Sequence, residues 1–222
     1  MNKLLLLFIS IFFLIGPTAS TAQTLSIDKI TRFGLSQTAI HSRIRNIHNA
    51  SIGRYGTAIG VFAQIKIEPR KKVYPIALKP AQIFFVAQLE YSMQGERTKL
   101  KDGTINKYFN DYINLPLYIK YYFSFKSTSP VKRFMIMGGP KIGGCVVQYG
   151  QADLSKERES VQLAHTNFKA LDLGYSFAMG LYFFRHIEGF MRFDQSFTEV
   201  YGNYNRKTFN YALSGGINIF FD

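Results

Sequence analysis

Three acidic residues, Asp172, Glu188 and Asp194, carry carboxylates whose placement could support chemistry. Two carboxylates in unlike surroundings can act as a general acid and a general base. Each of the three also falls on the polar side of a segment in which polar and apolar residues alternate. The simpler interpretation is that these carboxylates neutralise cations on the same polar faces, which requires no reaction.

The histidines offer a second route to chemistry. They are His41, His48, His165 and His186, and no two have the spacing of a metal site on a helix. Two of them precede a hydroxyl residue, Ser42 and Thr166, which suggests the base and nucleophile of a membrane-embedded lipid hydrolase. Both pairs fall in predicted loops, and the sequence shows no acid that would orient the histidine. We therefore predict no enzymatic activity, no metal and no cofactor.

The motif GGPKIGG at 138–144 has the glycines of a phosphate-binding loop. It lacks the Gly-Lys-Ser/Thr ending, and it lies inside a strand pattern rather than before a helix. Glycines that allow a sheet to curve explain this motif better.

The N-terminus reads MNKLLLLFISIFFLIGPTASTAQ, with a lysine, an apolar run, a Gly-Pro break and small residues in that order. This layout predicts a secretory signal peptide over 1–22. The alternative is a membrane anchor, but the run from Leu4 to Ile15 is shorter than the ~20 residues that span a bilayer as a helix. The remainder, 23–222, is predicted to form one domain.

The chain has 27 basic and 14 acidic residues and a formal net charge of +13. A basic chain suggests nucleic acid as a partner. Export argues against nucleic acid, and the sequence has no basic run with stacked aromatics at the spacing of a recognition motif. Lipid phosphates and acidic glycans are the remaining polyanions. The 21 Phe and 14 Tyr, without a further apolar run of helical length, favour a β protein.

Apolar and polar residues alternate in eight segments, as in strands with two unlike faces. In YINLPLYIKYYF, Ile113, Leu115, Leu117, Ile119 and Phe123 form one face, which is predicted to contact lipid, and Lys120 lies on the other. Pro116 removes a hydrogen-bond donor from this strand, so we predict a bulge there. The predicted strands are 30–40, 55–67, 81–94, 112–123, 133–147, 168–183, 187–197 and 209–221.

The connections between these segments form two alternating sets. One set, at 41–54, 96–110, 149–167 and 199–207, is polar and mostly long, and the other, at 68–80, 125–132 and 184–186, is mostly shorter. Long loops that alternate with short turns are typical of barrels in outer membranes. We therefore predict an all-β fold, an eight-stranded antiparallel up-and-down transmembrane β-barrel.

The polar faces separate this fold from its alternative, an exported soluble β-barrel that binds a small apolar ligand. Small residues separate single charges of both signs, as expected for side chains that pair inside a narrow lumen. We predict a lumen network in which Lys120 lies among carboxylates such as Glu90. Aromatics near the strand ends, Tyr112 and Tyr201 among them, are predicted to form girdles at the membrane interfaces. The predicted lumen charges are Arg32, Lys66, Glu90, Lys120, Lys141, Asp172, Glu188, Arg192 and Asp194.

Four stretches, YINLPLYIKYYF, FMIMGGPKIGG, GYSFAMGLYF and YALSGGINIFFD, resemble the corresponding strands of the PorT-like outer-membrane β-barrel proteins. The resemblance covers about 30–222. It implies a barrel in the outer membrane of a Gram-negative cell. It also suggests an accessory role in a secretion machine. The closing strand also resembles the signal that barrel-insertion machinery recognises, except that Asp222 follows the aromatic Phe221.

The first predicted outer loop contains Arg43, Arg45 and Arg54 and no acidic residue. These guanidinium groups could bind lipopolysaccharide phosphates through charge-assisted hydrogen bonds, although a solvated basic surface explains them equally well. We predict a monomeric, non-enzymatic barrel with a structural, lipid-contacting or partner-docking role. The expected partners are outer-membrane lipid, lipopolysaccharide, the insertion machinery and secretion-system proteins, and nucleic acid is not expected.

Overall fold

The computed structural model describes residues 30–46, 51–67, 82–99, 103, 105–124, 133–154, 157–159, 169–184, 186–202 and 206–221. The predicted signal peptide and the connections at 68–80 and 125–132 lie outside these ranges, as do His48 and His165. No helix within them is long and apolar enough to cross a bilayer.

Alternation of apolar and polar residues produces nine strands in the described ranges. They are β1 (Ile30–Arg45), β2 (Arg54–Ile67), β3 (Gln82–Lys99), β4 (Ile105–Ser124), β5 (Arg133–Leu154), β6 (Glu157–Glu159), β7 (Leu171–Phe184), β8 (Ile187–Ser196) and β9 (Phe209–Phe221). β6 is a three-residue strand that pairs only with the outer end of β5.

The other eight strands close into a ring. Each pairs antiparallel with its neighbour along the chain, and β1 pairs with β9 from Phe33↔Phe221 to Arg45↔Phe209. Closure gives every strand two partners. The backbone N–H and C=O groups are then hydrogen-bonded within the protein, as they must be because hydrocarbon offers them no partner. The predicted eight-stranded up-and-down barrel is confirmed.

Four strands, β1, β3, β4 and β5, extend further toward the outer end of the barrel than predicted, and the connections that follow β1 and β3 are correspondingly shorter. β1 continues to Arg45 and β2 begins at Arg54, so their connection is 46–53 rather than 41–54. The connection between β3 and β4 is 100–104 rather than 96–110. β4 has 20 residues and β5 has 22, about twice the 9–11 that a tilted strand needs to cross the hydrocarbon layer. These strands therefore extend beyond the membrane.

The two faces of the barrel have opposite chemistry. Large apolar side chains point outward and are exposed, including Phe33, Ile59 and Met191. Inward positions hold buried polar residues such as Glu90 and Arg192. A soluble barrel would reverse these faces, so the alternative of an exported soluble binder is wrong.

The strand that contains YINLPLYIKYYF, β4, follows the predicted division. Leu115, Ile119 and Phe123 are exposed on the outer face, and Ile113 and Leu117 are half-buried between them. Lys120 is buried on the inner face. This strand therefore presents its apolar side to lipid.

An apolar cluster fills the lumen near the end where β1 begins and β9 ends. Met135 and Met137 point into this cluster. Inward and outward side chains therefore alternate along this part of β5, although both sets are apolar in the sequence. The cluster comprises Phe62, Phe84, Val86, Tyr118, Tyr122, Met135, Met137, Ala178, Phe190 and Phe220. Because these side chains are large, this end of the barrel is packed as a core.

Pro116 interrupts the strand ladder without forming a bulge, so that prediction was wrong. β3 and β4 pair at Ala87↔Leu117, and the pairing resumes at Glu90↔Asn114 in the same register. The pairs between them are missing, which agrees with a proline nitrogen that has no hydrogen to donate. The strand therefore tolerates the proline by losing hydrogen bonds rather than by shifting.

The irregularity of β4 lies further toward the outer end, against β5. Asp111 pairs with Val147, whereas the next residue, Tyr112, pairs with Cys145. Val146 is therefore the extra residue of a β-bulge. The bulge lies just beyond the point where β5 loses its pairing with β7, which ends at Gly144↔Leu171.

Candidate functional site

Arg192 of β8 and Glu90 of β3 join opposite sides of the ring. Arg192 Nη1 and Nη2 each donate to a Glu90 carboxylate oxygen at 2.8 Å. Arg192 Nε also lies 3.1 Å from Asp194 Oδ2, and Gln88 Nε2 donates to Glu90 at 2.8 Å. This two-point contact fixes the geometry of both side chains and spans the lumen.

Glu188 of β8 is the partner of Lys120. Lys120 Nζ lies 2.6 Å from Glu188 Oε2, and Asn218 Nδ2 donates to the same oxygen at 3.1 Å. The Tyr122 hydroxyl also donates to Glu188, and Lys120 donates to Gln64 Oε1 at 3.2 Å. Lys120 was expected among lumen carboxylates such as Glu90; its partner is the lumen carboxylate of Glu188 instead, because Arg192 occupies both oxygens of Glu90.

A third buried pair joins neighbouring strands. Lys141 Nζ of β5 donates to Asp172 Oδ2 of β7 at 2.9 Å. In these three networks, the buried cations Lys120, Lys141 and Arg192 face the buried anions Glu90, Asp172, Glu188 and Asp194. Each of these anions lies against a cation, which is an arrangement for neutralising charge rather than for transferring protons.

The last two predicted lumen charges lie apart from these pairs. Arg32 is half-buried, donates to the Tyr182 hydroxyl at 2.6 Å and stacks over the Phe220 ring. Lys66 is exposed at the end of β2 and belongs to none of the ion pairs among the described residues. Its inclusion in a buried network was wrong, because β2 has left the packed lumen at this point.

The connection between β8 and β9 closes the outer end of the lumen. Tyr201 is fully buried and packs with Val200 and Ile44. Its hydroxyl accepts a hydrogen bond from Asn110 Nδ2 at 3.2 Å. Thr208 holds the segment in place, since its hydroxyl accepts from the Tyr201 amide at 2.8 Å. Tyr201 was predicted in a girdle, as was the buried Tyr112, and both instead lie inside the barrel.

The three rim arginines do not form one set. Arg43 Nε donates to Ser51 Oγ at 2.9 Å, and Arg45 is exposed and stacks over the Tyr211 ring. Arg54 instead points toward the inside of the barrel, where it donates to the Gln94 carbonyl and lies 3.1 Å from Asp111 Oδ1. Arg54 therefore differs from the other two, because its charge is already compensated by a carboxylate.

His41 and Ser42 cannot act together as a base and a nucleophile. They are consecutive residues of β1, so their side chains point to opposite faces of the sheet. Ser42 is buried and donates to the Gly95 carbonyl at 3.0 Å, whereas His41 stacks on the Tyr55 ring on the outer face. Within the described residues, no three His, Cys, Asp or Glu side chains gather as they would around a metal ion.

Sequence reasoning missed Glu96 and Asp111, which are buried inside the outer part of the barrel. Both lie in or beside the segment interpreted as a loop, where polar residues occupy both faces and the apolar alternation disappears. The sequence did contain a weaker signal that β3 continues through this segment. The inward positions Ser92, Gln94 and Thr98 are uncharged, whereas the outward Arg97 and Lys99 are long cations.

Comparison with known proteins agrees with this architecture. The family model for the outer membrane protein beta-barrel domain matches residues 21–202. The chain belongs to this family. As an outer membrane protein beta-barrel, it resides in the outer membrane, with its apolar outer face against lipid.

Two solved outer-membrane proteins are similar to this barrel in structure. Neisserial surface protein A is 12% identical, with a TM-score of 0.48 over 85% of this chain and 97% of that chain. Ail, the attachment invasion locus protein of Yersinia pestis, is 8% identical, with a TM-score of 0.38 over 86% of this chain and 98% of that chain. The structure of Ail in complex with the heparin analogue sucrose octasulfate has a TM-score of 0.41, with the same identity and coverage. Among curated proteins there is no match.

Proposed function

We propose that this barrel is a monomeric, non-enzymatic outer-membrane protein that contacts the phosphates of lipopolysaccharide with its outer rim. The end with the 46–53, 100–104 and 197–208 connections faces outside, and the two-residue connection at 185–186 lies in the periplasm, as in other outer-membrane barrels. The inner face supports the absence of catalysis, because the carboxylates of Glu90, Asp172, Glu188 and Asp194 are held against cations. β9, whose alternation ends at Phe221, is proposed as the strand that the barrel-insertion machinery recognises.

The observation that carries the lipopolysaccharide contact is the placement of Arg43 and Arg45. Both lie on the outward face at the outer end of β1, and the register pairs them with the aromatic residues Tyr211 and Phe209. Cations above an aromatic and apolar surface match a lipid that has phosphates above its acyl chains. Arg54 is left out of this contact because it is bound to Asp111.

Detergent resistance tests this contact. In a strain that lacks the protein, the wild-type gene should restore the detergent concentration at which cells survive, and R43S/R45S should restore it only in part. Lys66→Ser is the matched control, because Lys66 is also exposed but lies at the periplasmic end. Full restoration by R43S/R45S would refute the proposed contact.

Docking of a protein partner is the second candidate function, and the edge of β5 favours it. β5 pairs with β7 only as far as Gly144, yet it continues to Leu154. The Cys145 amide still donates to the Ala170 carbonyl at 2.8 Å, and beyond it the β5 backbone pairs, among the described residues, with β4 alone until β6 begins at Ala152↔Glu159. An unpaired strand edge outside the membrane can accept an extended segment of another protein. The resemblance to PorT-like proteins makes a secretion-system component one such partner.

The same deletion strain separates the two functions through a second measurement. A secretion role predicts that specific proteins disappear from the culture medium when the gene is deleted and return with R43S/R45S. An unchanged set of secreted proteins would exclude the accessory role.

A further inference from the structure

A groove lies on the outer surface of the barrel where β7 begins and β9 begins. Its volume is about 490 Å³, within the range of small-ligand sites. The apolar part is formed by Leu171, Phe197 and Phe209, of which the first two are more than half exposed. The charged part is formed by Lys169, Lys207 and Glu199. The groove therefore joins apolar and cationic surfaces.

Hydrogen bonds fix the walls of this groove. The Lys169 amide donates to the Val200 carbonyl at 3.0 Å, and the Leu173 amide donates to Thr198 Oγ1 at 2.9 Å. The Asn46 side chain donates to the Lys207 carbonyl at 2.8 Å and so joins the groove to the β1–β2 connection. The backbone around the groove is thus set by the same segment that closes the lumen.

The charges in the groove leave an excess of one cation. Lys169 Nζ lies 3.0 Å from Glu199 Oε2, and the Lys169 side chain is 55% exposed. An exposed ion pair of this kind contributes little to stability because water screens it, so a phosphate can compete for the ammonium group. Lys207 is exposed on the other wall. Arg45, which pairs with Phe209 in the register, adds a further cation beside the groove.

The groove is also continuous with the lipid-facing surface. Leu171 and Phe197 stand at the outer ends of β7 and β8, beyond exposed apolar residues such as Leu173 and Tyr175. An acyl chain along this surface can end at the groove without crossing water. A soluble anion would gain nothing from the three apolar side chains, whereas a phosphorylated lipid uses both halves of the site.

We propose that this groove binds one phosphorylated glycolipid of the outer leaflet, the lipid A part of lipopolysaccharide. Its phosphate lies between Lys169 and Lys207, and an acyl chain lies against Leu171, Phe197 and Phe209. This inference rests on the proposed function and adds a defined site to the general basic rim.

Native mass spectrometry of the folded protein in detergent micelles tests the site, with bisphosphorylated lipid A as the probe. Wild-type protein should retain lipid A, and K169Q/K207Q should retain it about tenfold less well, as expected when two charge-assisted contacts are lost. Lys66→Gln, which removes an exposed cation at the other end, should leave retention unchanged. F197S should also weaken retention, and it should leave the fold intact because Phe197 is 65% exposed.

Two further lipids identify the ligand chemistry. Dephosphorylated lipid A and phosphatidylethanolamine should each be retained less than lipid A by the wild type. Equal retention of all three, or wild-type retention by K169Q/K207Q, would overturn the proposal. The R43S/R45S variant distinguishes the two hypotheses. If it lowers detergent resistance in cells while K169Q/K207Q retains lipid A normally, the basic rim is supported and the groove is excluded.

Discussion

At the scale of residues, the lumen is organised by charge pairs that are almost fully removed from water. Burial of two ions costs desolvation free energy, and their attraction roughly repays it. Loss of one partner is different, because it leaves a charge buried without compensation. Glu188, which receives hydrogen bonds from Lys120, Tyr122 and Asn218, is the residue where this asymmetry should be largest.

A double-mutant cycle on Lys120 and Glu188 tests this reasoning. K120M should lower the free energy of unfolding by about 3–5 kcal/mol, since it leaves the Glu188 carboxylate buried and unpaired. K120M/E188Q should lose less than the sum of the two single variants, by about 0.5–3 kcal/mol. Urea unfolding in lipid vesicles measures both quantities.

The exposed pair Lys169–Glu199 supplies the control for this cycle. K169M should change the free energy of unfolding by no more than about 1 kcal/mol. Strict additivity of K120M and E188Q would show that the two side chains do not stabilise each other.

At the scale of elements, the close approach of β4 and β5 determines which glycines are essential. A Cβ atom on Gly139 would lie 1.9 Å from the Leu117 carbonyl oxygen. A Cβ atom on Gly144, in the same GGPKIGG motif, would meet no atom within 4 Å. The glycines therefore have different roles although they look equivalent in the sequence. Among the glycines of this motif, only Gly139 is required by a backbone contact.

Substitution by valine should separate these two glycines. G139V should destabilise the barrel by at least about 1–3 kcal/mol, because β4 and β5 must move apart to admit the side chain. G144V should be nearly neutral. The urea midpoint of each variant in lipid vesicles measures the difference, and equal midpoints would contradict the assigned roles.

The sequence was sufficient to predict the strands wherever one face meets lipid, because hydrocarbon enforces strict alternation at residues such as Leu115 and Ile119. It was insufficient at the outer ends of β3 and β4, since both faces of a strand are polar once it leaves the membrane. Ion-pair partners were also missed. The pairing of Arg192 with Glu90 depends on which strands face each other across the ring, and periodicity within one strand carries no such information.

At the scale of the whole molecule, the barrel combines a closed hydrogen-bond ring with an apolar exterior. Except for interruptions such as the one at Pro116, strand pairing continues around the circumference in the described part of the chain. Where all eight strands are paired, the ring has no edge at which unpairing can begin. The folded state should therefore resist detergent that would denature an ordinary soluble protein.

Electrophoresis in dodecyl sulfate tests this resistance. Unheated protein extracted from the membrane fraction should migrate as a compact species, and boiled protein should migrate at the position of the unfolded chain. The isolated G139V variant should convert at a lower temperature than wild type. Identical mobility with and without boiling would argue that the ring is not closed in the membrane.

The segment that carries Tyr201 has a consequence for the cell that holds this protein. Tyr201, Val200 and Ile44 pack across one mouth, and the apolar cluster fills the other end of the described barrel. We therefore expect no continuous aqueous path for ions. A planar bilayer that contains the barrel should stay electrically silent under applied voltage. A cell can thus carry many copies of this protein in its outer membrane without admitting antibiotics or dissipating ion gradients.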